Sequence, residues 1–426
     1  MVECGGLENR FAGYPGNEGS NPSSSARKFR PPAMSRGLFT LQRFKEVYAK
    51  AGWDMNKQRV LRTFLDMVAI DSPSRSELGM ARYCVRSLES MGFQIEYDDS
   101  QTKTGSDTPQ IIARRKGAGS GRIALSAHMD CVVPCCNVHP HIENEAVYSD
   151  GTTILGADDK AGVAEIFEAI KSADEAGRPL PSIDVLLSVC EEQSVLGARC
   201  FPDDVLPKGT LCLVLDVAGP AGAIYTATPF HYVFTASFHG RAAHAGAEPQ
   251  LGASAIQMAA RAIDLMALGR LDDSTTASVG TIEGGVAKNI VPDSCTIVGE
   301  CRSLSEKRIE HVRQNMDDAL RQGARDFDGT VDVEWELSYP GIFTEEDDPD
   351  VQMLIKAAKK ADLNPILGMT GGGSDANVLK AKGVKPIPLG CGMKDFHALN
   401  ESVKLADLEG CALFIEEVLY LMGVRV

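Results

Sequence analysis

Carboxylates and imidazoles recur in this sequence where apolar runs stop. "IALSAHMD" closes on His128 and Asp130, "VLLSVCEEQ" on Glu191 and Glu192, and "CLVLD" on Asp216. "TTILGADDKAGVAEIFEAI" sets Asp158 and Asp159 at the mouth of an apolar helix, and "GMKDFHALNE" offers His397 after an apolar strand. Singly, each has an ordinary explanation. A strand-end His is a hydrogen-bonded surface residue, paired glutamates are a solvated face, and an Asp before a helix is an N-cap. Gathered at one edge they would repel and raise one another's pKa, which a cation relieves. Two divalent metals about 3.5–4 Å apart, sharing a carboxylate and a bridging water, need such a set. Imidazole and carboxylate oxygen suit zinc. Asp130, two residues beyond His128, can hold the ring's other nitrogen. One of Glu191 and Glu192 can bind metal while its neighbour serves as general base for the water.

The elements implied by the patterning bring these residues to one place. "RVLRTFLDMVAI" and "LGMARYCVRSLESM" have helical spacing. "QIEY", "QIIARR" and "RIALSAH" are short strands, a helix runs from Ala161 to about Ala176, and "SIDVLLSVC" and "GTLCLVLD" are strands buried on both faces. The alternation indicates an α/β domain with a mostly parallel sheet, which binds ligands beyond the carboxyl ends of its strands. Near Thr228 the rhythm changes to "HYVFTASFHG", a helix at about Ala253–Leu268, "TTASVGTIEGG", "SCTIVGECRS", a helix at about Ser305–Phe327 and "TVDVEWELS". That order is the ferredoxin-like βαββαβ unit. Beyond "YPGIF" helix and strand alternate again, ending in a helix at about Leu405–Met422. The expected domains are a disordered extension over residues 1–45, a catalytic domain in two parts (46–227 and 339–426), and an inserted domain over 228–338.

The chain has 426 residues and a formal net charge of −15. That charge argues against nucleic acid or an anionic membrane as the main partner, and no apolar run approaches a membrane-spanning length. The twelve cysteines are irregularly spaced, so reduced thiols in a cytoplasmic setting are expected. The extension is rich in Gly, Ser, Pro and Asn, and Glu3, Glu8 and Glu18 do not suit a transit peptide despite Arg27, Lys28 and Arg30.

"SAHMD", "SDGTTILGADDKAGVAEI", "VCEEQSVLGA", "LD", "GRAAHAGAEP", "GGGSDANVL" and "FHALNE" together resemble the co-catalytic zinc exopeptidase family of peptidase T, carboxypeptidase G and the aminoacylases, in particular its peptidase T-like branch. The resemblance runs from about residue 56 to the C-terminus. It implies two Zn2+ per subunit, with Co2+ or Mn2+ as substitutes. His128, Asp158, Glu192, Asp216 and His397 would be the ligands, with Asp158 bridging. Asp130 would orient His128, and Glu191 would be the general base. The inserted domain would be a lid and homodimerisation surface. His244 would stabilise the oxyanion, often across the dimer; Asn289 and Arg302 would bind the substrate carboxylate; Gly372 and Gly373 would permit close backbone approach. It also implies a cis Asp158–Asp159 peptide. One departure is "LDVAGP", where a glycine is expected directly after Asp216.

The implied activity is exopeptidase (aminopeptidase) hydrolysis of short peptides such as tripeptides. The alternative is an N-acyl amino acid deacylase using the same site; a third reading, a metal-binding scaffold without catalysis, would need a missing ligand or base. "CVVPCCNVHPHIE" contains Cys131, Cys135, Cys136, His139 and His141, but its spacing is no usual zinc pattern and it reads as a surface loop with incidental thiols.

Overall fold

The computed structural model describes residues 55–424; the expected N-terminal extension lies outside them. The two-face burial expected for the strands of the first domain is found. Ser182–Ser188, Arg122–His128, Leu211–Val217 and Lys385–Gly390 lie side by side in parallel at the centre of a nine-stranded sheet, buried along almost their whole length. Antiparallel strands flank them: Gln94–Tyr97 and Ile111–Arg115 on one side, Ala223–Thr228 and Ile342–Phe343 on the other. The helices Ala157–Glu175 and Leu405–Gly423 pack on each other and on this sheet. The first is buried on nearly every side, and its buried residues include the charged Lys160, Glu165 and Glu168 as well as apolar ones.

The second sheet is wholly antiparallel. It contains Phe230–His239, Thr275–Gly284, Ser294–Ser303 and Thr330–Tyr339, in the spatial order of a ferredoxin-like unit, and adds Gly269–Asp272 as a short edge hairpin. Burial alternates strictly along Ser294–Ser303, as it must when helices cover one face only. Those helices are Ala255–Leu265, capped by Ser254, and Glu306–Arg325, capped by Ser305. Their apolar sides meet Phe234, Phe238 and Ile297. The mostly parallel α/β sheet with a separate antiparallel lid is thus the fold class expected from the patterning.

Three features depart from that reading. The edge hairpin was not expected. Nor was a third, four-stranded sheet made of Met393–Lys394, Ser402–Lys404, Ala146–Tyr148 and His141–Glu143; strands of two or three residues carry no readable period. The third concerns the thiols. Cys131 and Cys135 are buried against Ile154 instead of lying on a surface loop. His139 and His141 are exposed, and they form no metal-holding group with these thiols among the described residues.

The chain crosses between the first and second sheets at Thr228–Phe230 and again at Tyr339–Ile342. Asn377, fully buried, ties both crossings together. Its amide nitrogen donates to Thr228 Oγ1 (2.7 Å), the Pro229 carbonyl (3.3 Å) and the Pro340 carbonyl (2.8 Å), and its Oδ1 accepts from Ser374 N–H (3.1 Å). Asn377→Ala should therefore destabilise the protein by about 2–3 kcal/mol, the range for buried acceptors and donors left unpaired. Chemical denaturation measures this, and a loss below about 0.5 kcal/mol would show that the crossings are held by something else.

Candidate metal centre

The central parallel strands end together, and their registers set the inner residues of the site. His128 pairs with Ser188 across the sheet. The turn after Ser188 therefore delivers Glu191 and Glu192 next to His128, while the neighbouring strand Leu211–Val217 supplies Asp216. Asp158 comes from the loop entering the long central helix. Its φ/ψ of −82°, 100° and those of Asp159, −123°, 33°, are non-helical, so regular helix starts only beyond them. The Asp158–Asp159 peptide is cis. Gly156 takes a φ of +74°, and a Cβ on Gly162 would lie 2.4 Å from the Leu215 carbonyl oxygen, so the turn seats directly on the strand bearing Asp216. His397 reaches the same spot from the loop between Met393–Lys394 and Ser402–Lys404.

These groups converge. Asp158 presents Oδ1 to His128 Nε2 at 2.9 Å and Oδ2 to His397 Nε2 at 3.2 Å. His128 Nε2 also lies 3.6 Å from Asp216 Oδ1, and His397 Nε2 lies 2.8 Å from Glu192 Oε1. Two overlapping donor groups have the compactness to hold a cation: His128, Glu191 and Asp216, and His128, Asp158 and Glu192. On the far side of the ring, His128 Nδ1 sits 3.0 Å from the Asp130 carbonyl and 3.5 Å from its carboxylate.

The charges are strongly coupled. Burial opposes protonation of His128, yet the carboxylates of Asp130, Asp158 and Asp216 around the ring hold its pKa well above the ordinary imidazole value. Hydrogen bonds to Asp158 and Glu192 raise His397 to about 10. Burial would raise Asp158, but the two imidazoles pull it below the usual carboxylate range. Asp216 is pushed up to about 7 by burial, despite its bond to His128. Glu191 is driven well above its ordinary value by desolvation and by Asp216. So many buried or half-buried carboxylates around two imidazoles suit a divalent cation, which would replace the bound protons.

The other residues singled out by the motifs lie apart from this group. His244 and Asn289 are exposed on the second sheet's loops. They adjoin each other, with Ala245 N–H donating to the Asn289 carbonyl at 3.0 Å. Neither bonds to the inner residues among the described contacts. Arg302 spends its Nε and one Nη on Glu300 (3.1 and 3.0 Å), which also meets His231 at 2.8 Å. A Cβ on Gly373 would fall 2.2 Å from the Tyr339 ring, whereas one on Gly372 would meet only Thr370 Oγ1 at 3.8 Å, so the close backbone approach is Gly373's.

Glu401, outside the expected set, completes the site together with further bonds made by Asp159 and Asp130. Glu401, fully buried, accepts from Leu155 N–H and Gly156 N–H (2.7 Å each) and from Asp158 N–H (3.0 Å). Asp159 accepts from His128 N–H (3.1 Å) as well as from Gly162 N–H (3.2 Å), so it both caps its helix and pins a neighbouring strand. Asp130 accepts from Glu191 N–H (2.9 Å), Glu192 N–H (3.3 Å) and Ser74 Oγ (2.7 Å). Glu401 stands inside "FHALNE", but nothing local points to donors some 245 residues away.

Metal uptake by the metal-free protein should release protons. The imidazoles carry raised pKa values, so at neutral pH they hold protons that a metal must displace, and affinity should climb as pH rises from 6 to 8. Calorimetric titration in buffers of different ionisation enthalpy reads the proton count; affinity flat across that range would contradict the coupling.

Comparison with known proteins shows what the chain as a whole is similar to. Residues 232–328 match a profile described as a peptidase dimerisation domain, and residues 110–263 match peptidase family M28. Uncharacterized protein YqjE of Bacillus subtilis (strain 168) is 38% identical over 355 residues, 83% of this chain and 95% of that one. The crystal structure of aminopeptidase PepT from Bacillus cereus is 35% identical with a TM-score of 0.78, covering 85% of this chain and 98% of that one. A tripeptidase structure from Staphylococcus aureus is 31% identical with a TM-score of 0.81, covering 86% and 98%. The chain belongs to the metallopeptidase family that includes peptidase T, carboxypeptidase G2 and acetylornithine deacetylase, in its peptidase T branch.

Proposed function

We propose that this protein is a dinuclear zinc aminopeptidase that hydrolyses short peptides, tripeptides among them. The observation that carries the reading is Asp158, whose two oxygens face two different imidazoles, those of His128 and His397. A carboxylate so placed can serve two cations at once. His128, Asp158 and Asp216 would hold one zinc, and Asp158, Glu192 and His397 the other. When bound, the pair would polarise the scissile carbonyl and acidify a water.

Glu191 takes that water's proton on its carboxylate and delivers it to the departing amine nitrogen. Enclosure and the nearby Asp216 raise its proton affinity; a cation held by Asp216 would offset the second of these, so that Glu191 is ionised to accept the proton and still basic enough to keep it between the two steps. Asp130 fixes the His128 ring through Nδ1 and fixes the base through the backbone of its turn. His244 Nδ1 accepts from Gly246 N–H (3.1 Å) and Ala247 N–H (3.0 Å). Its proton is therefore on Nε2, exposed and able to donate to a developing oxyanion. With no bond from His244 to the inner residues of its own chain among the described contacts, we place it in the active site of a partner subunit, in a homodimer formed through the lid. Arg302, Asn289 and Gly373 are assigned to binding the peptide.

The match to a dimerisation domain supports the homodimer, and the two solved structures above 30% identity, an aminopeptidase and a tripeptidase, favour peptide over N-acyl substrates. No helix of the described residues is long and apolar enough to cross a membrane. No disulfide joins the cysteines of the described residues, and we assign the protein to a reducing, cytoplasmic setting.

Glu191→Gln should keep its metal and lose about 10²–10⁴-fold in kcat, the span of general acid–base catalysis; wild-type turnover would remove the base assignment. A hydrolysis screen of metal-loaded enzyme should show a requirement for a free α-amine, whereas preference for N-acetyl amino acids would select the deacylase. His244→Ala should retain metal but not turnover, and mixing it with Glu191→Gln should restore activity through heterodimers with one intact site. Failure to complement would confine His244 to its own chain.

A further inference from the structure

The turn that carries Glu191 and Glu192 is held from behind by a residue with no place in the chemistry so far. Cys190, which opens this turn, has a φ of +52°, a conformation that side chains other than glycine adopt only when their surroundings impose it. Three consecutive N–H groups, those of Cys190, Glu191 and Glu192, point at buried carboxylates. Glu191 and Glu192 donate to Asp130, and Cys190 donates to Glu77 Oε1 at 3.1 Å.

Glu77 stands just before the helix Leu78–Ser90, where an acidic residue would ordinarily serve as a cap. It makes no side-chain cap bond. Its carboxylate turns away and is fully buried. Oε1 also accepts from Arg75 N–H (2.9 Å) and lies 3.3 Å from Cys190 Sγ, while Oε2 accepts from Ser106 Oγ (2.6 Å). Every donor around it is satisfied by an acceptor-only group, the requirement that a carboxylate meets and an amide meets only in part. The same stretch contributes two more ties. The Ser72 carbonyl accepts from Cys131 N–H (2.9 Å), and Ser74 Oγ donates to Asp130. Residues 72–77 thus grip the strand end bearing Asp130 and the turn bearing Glu191, from outside the group that would contact metal or substrate.

We propose that Glu77 is a positioning residue for hydrolysis, fixing the Cys190–Glu192 turn so that the Glu191 carboxylate stands at its working place. This rests on Glu191 being the base. Glu77 touches neither substrate nor metal; it acts through the Cys190 N–H. Losing that hold moves the base, whose residue follows Cys190 directly, while leaving the peptide-binding residues of the lid and the ligands His128, Asp158, Asp216 and His397 in place; Glu192, farther along the turn, keeps its N–H bond to Asp130 and its contact with His397. The loss falls on kcat and spares KM.

The test uses full-length, metal-loaded enzyme and a tripeptide, and reads metal content, thermal midpoint, kcat and KM. Glu77→Ala should retain the wild-type metal content and lose about 10²-fold in kcat, as expected when a reacting group is displaced by about 1 Å, with KM within about threefold. Glu77→Gln, which keeps an oxygen for Cys190 N–H, should recover most of the rate. Glu77→Asp keeps the charge but withdraws the oxygens by one methylene and should fall between Gln and Ala, so the ordering of Gln over Asp decides the matter even where Ala does not fold. Leu88→Ala, in the core of the same helix, should lower the thermal midpoint and leave kcat within about twofold, since it touches no part of the turn. Wild-type kcat in Glu77→Asp, or a rate loss in Leu88→Ala as large as that of the Glu77 variants, would overturn the proposal. Glu191→Gln run alongside separates the two failures. If it stays active the base assignment falls; if it is dead while Glu77→Asp is unimpaired, only the positioning role falls.

Discussion

The site depends on carboxylates that hold backbone rather than metal. Asp130, Asp159, Glu401 and Glu77 are each buried, and each accepts N–H groups from a segment that carries a reactive side chain: three for Glu401, two for Asp130, and one each for Asp159, from His128, and Glu77, from Cys190. Glutamate and aspartate in a metal site repel one another and have rotamer freedom to lose. Fixing the backbone beneath them is the way to aim them before a cation arrives. Hydrogen bonds to an ionised acceptor contribute about 1.5–3 kcal/mol each. The desolvation of four carboxylates offsets much of that, so the return is geometry more than net stability.

Each holding carboxylate belongs to a different segment from the turn it holds. Glu401 sits some 245 residues from the Asp158 loop, Glu77 113 residues from Cys190, and Asp130 about 60 from Glu191. The inner group is therefore correct only when the sheet register, the long central helix and the small third sheet are all in place. The same arrangement governs charge. Asp158, between two imidazoles, is held ionised, whereas Asp216 and Glu191 are pushed toward protonation by burial. A carboxylate that stays ionised at the centre of others that resist ionisation is the natural seat for a bridging ligand.

Much of this could be read from the sequence, and the boundary has a physical cause. Long apolar strands and striped or fully apolar helices announce themselves by period, and both larger sheets follow from them. The inner residues followed because they terminate those strands, and an α/β sheet aligns strand ends. The holding residues did not follow. Glu77 looks like a helix cap and Asp159 is one; what distinguishes them is a donor on a distant segment, and composition near residue 77 contains no trace of Cys190. The two- and three-residue strands that place His397 and Glu401 have no period to detect. Cys131 and Cys135, in a segment with loop composition, are buried because the Asp158 loop folds over them.

The lid poses the opposite problem: it must be attached without being fused. The buried residues of its own apolar cluster lie within 234–324, and it shares one apolar contact with the catalytic domain, Tyr339, which is buried in that domain's cluster beside Ile342. The other ties between the two are polar and local. Asn377 bonds both crossings. Tyr339, at the end of the last lid strand, packs with its ring between Gly373 and His231, the latter at a centroid distance of 5.0 Å, and His231 reaches Glu300 and through it Arg302. Gly373 thus has a packing role that the motif alone does not disclose: lacking a side chain, it lets the loop before Asp375 close on the Tyr339 ring at the end of the last lid strand.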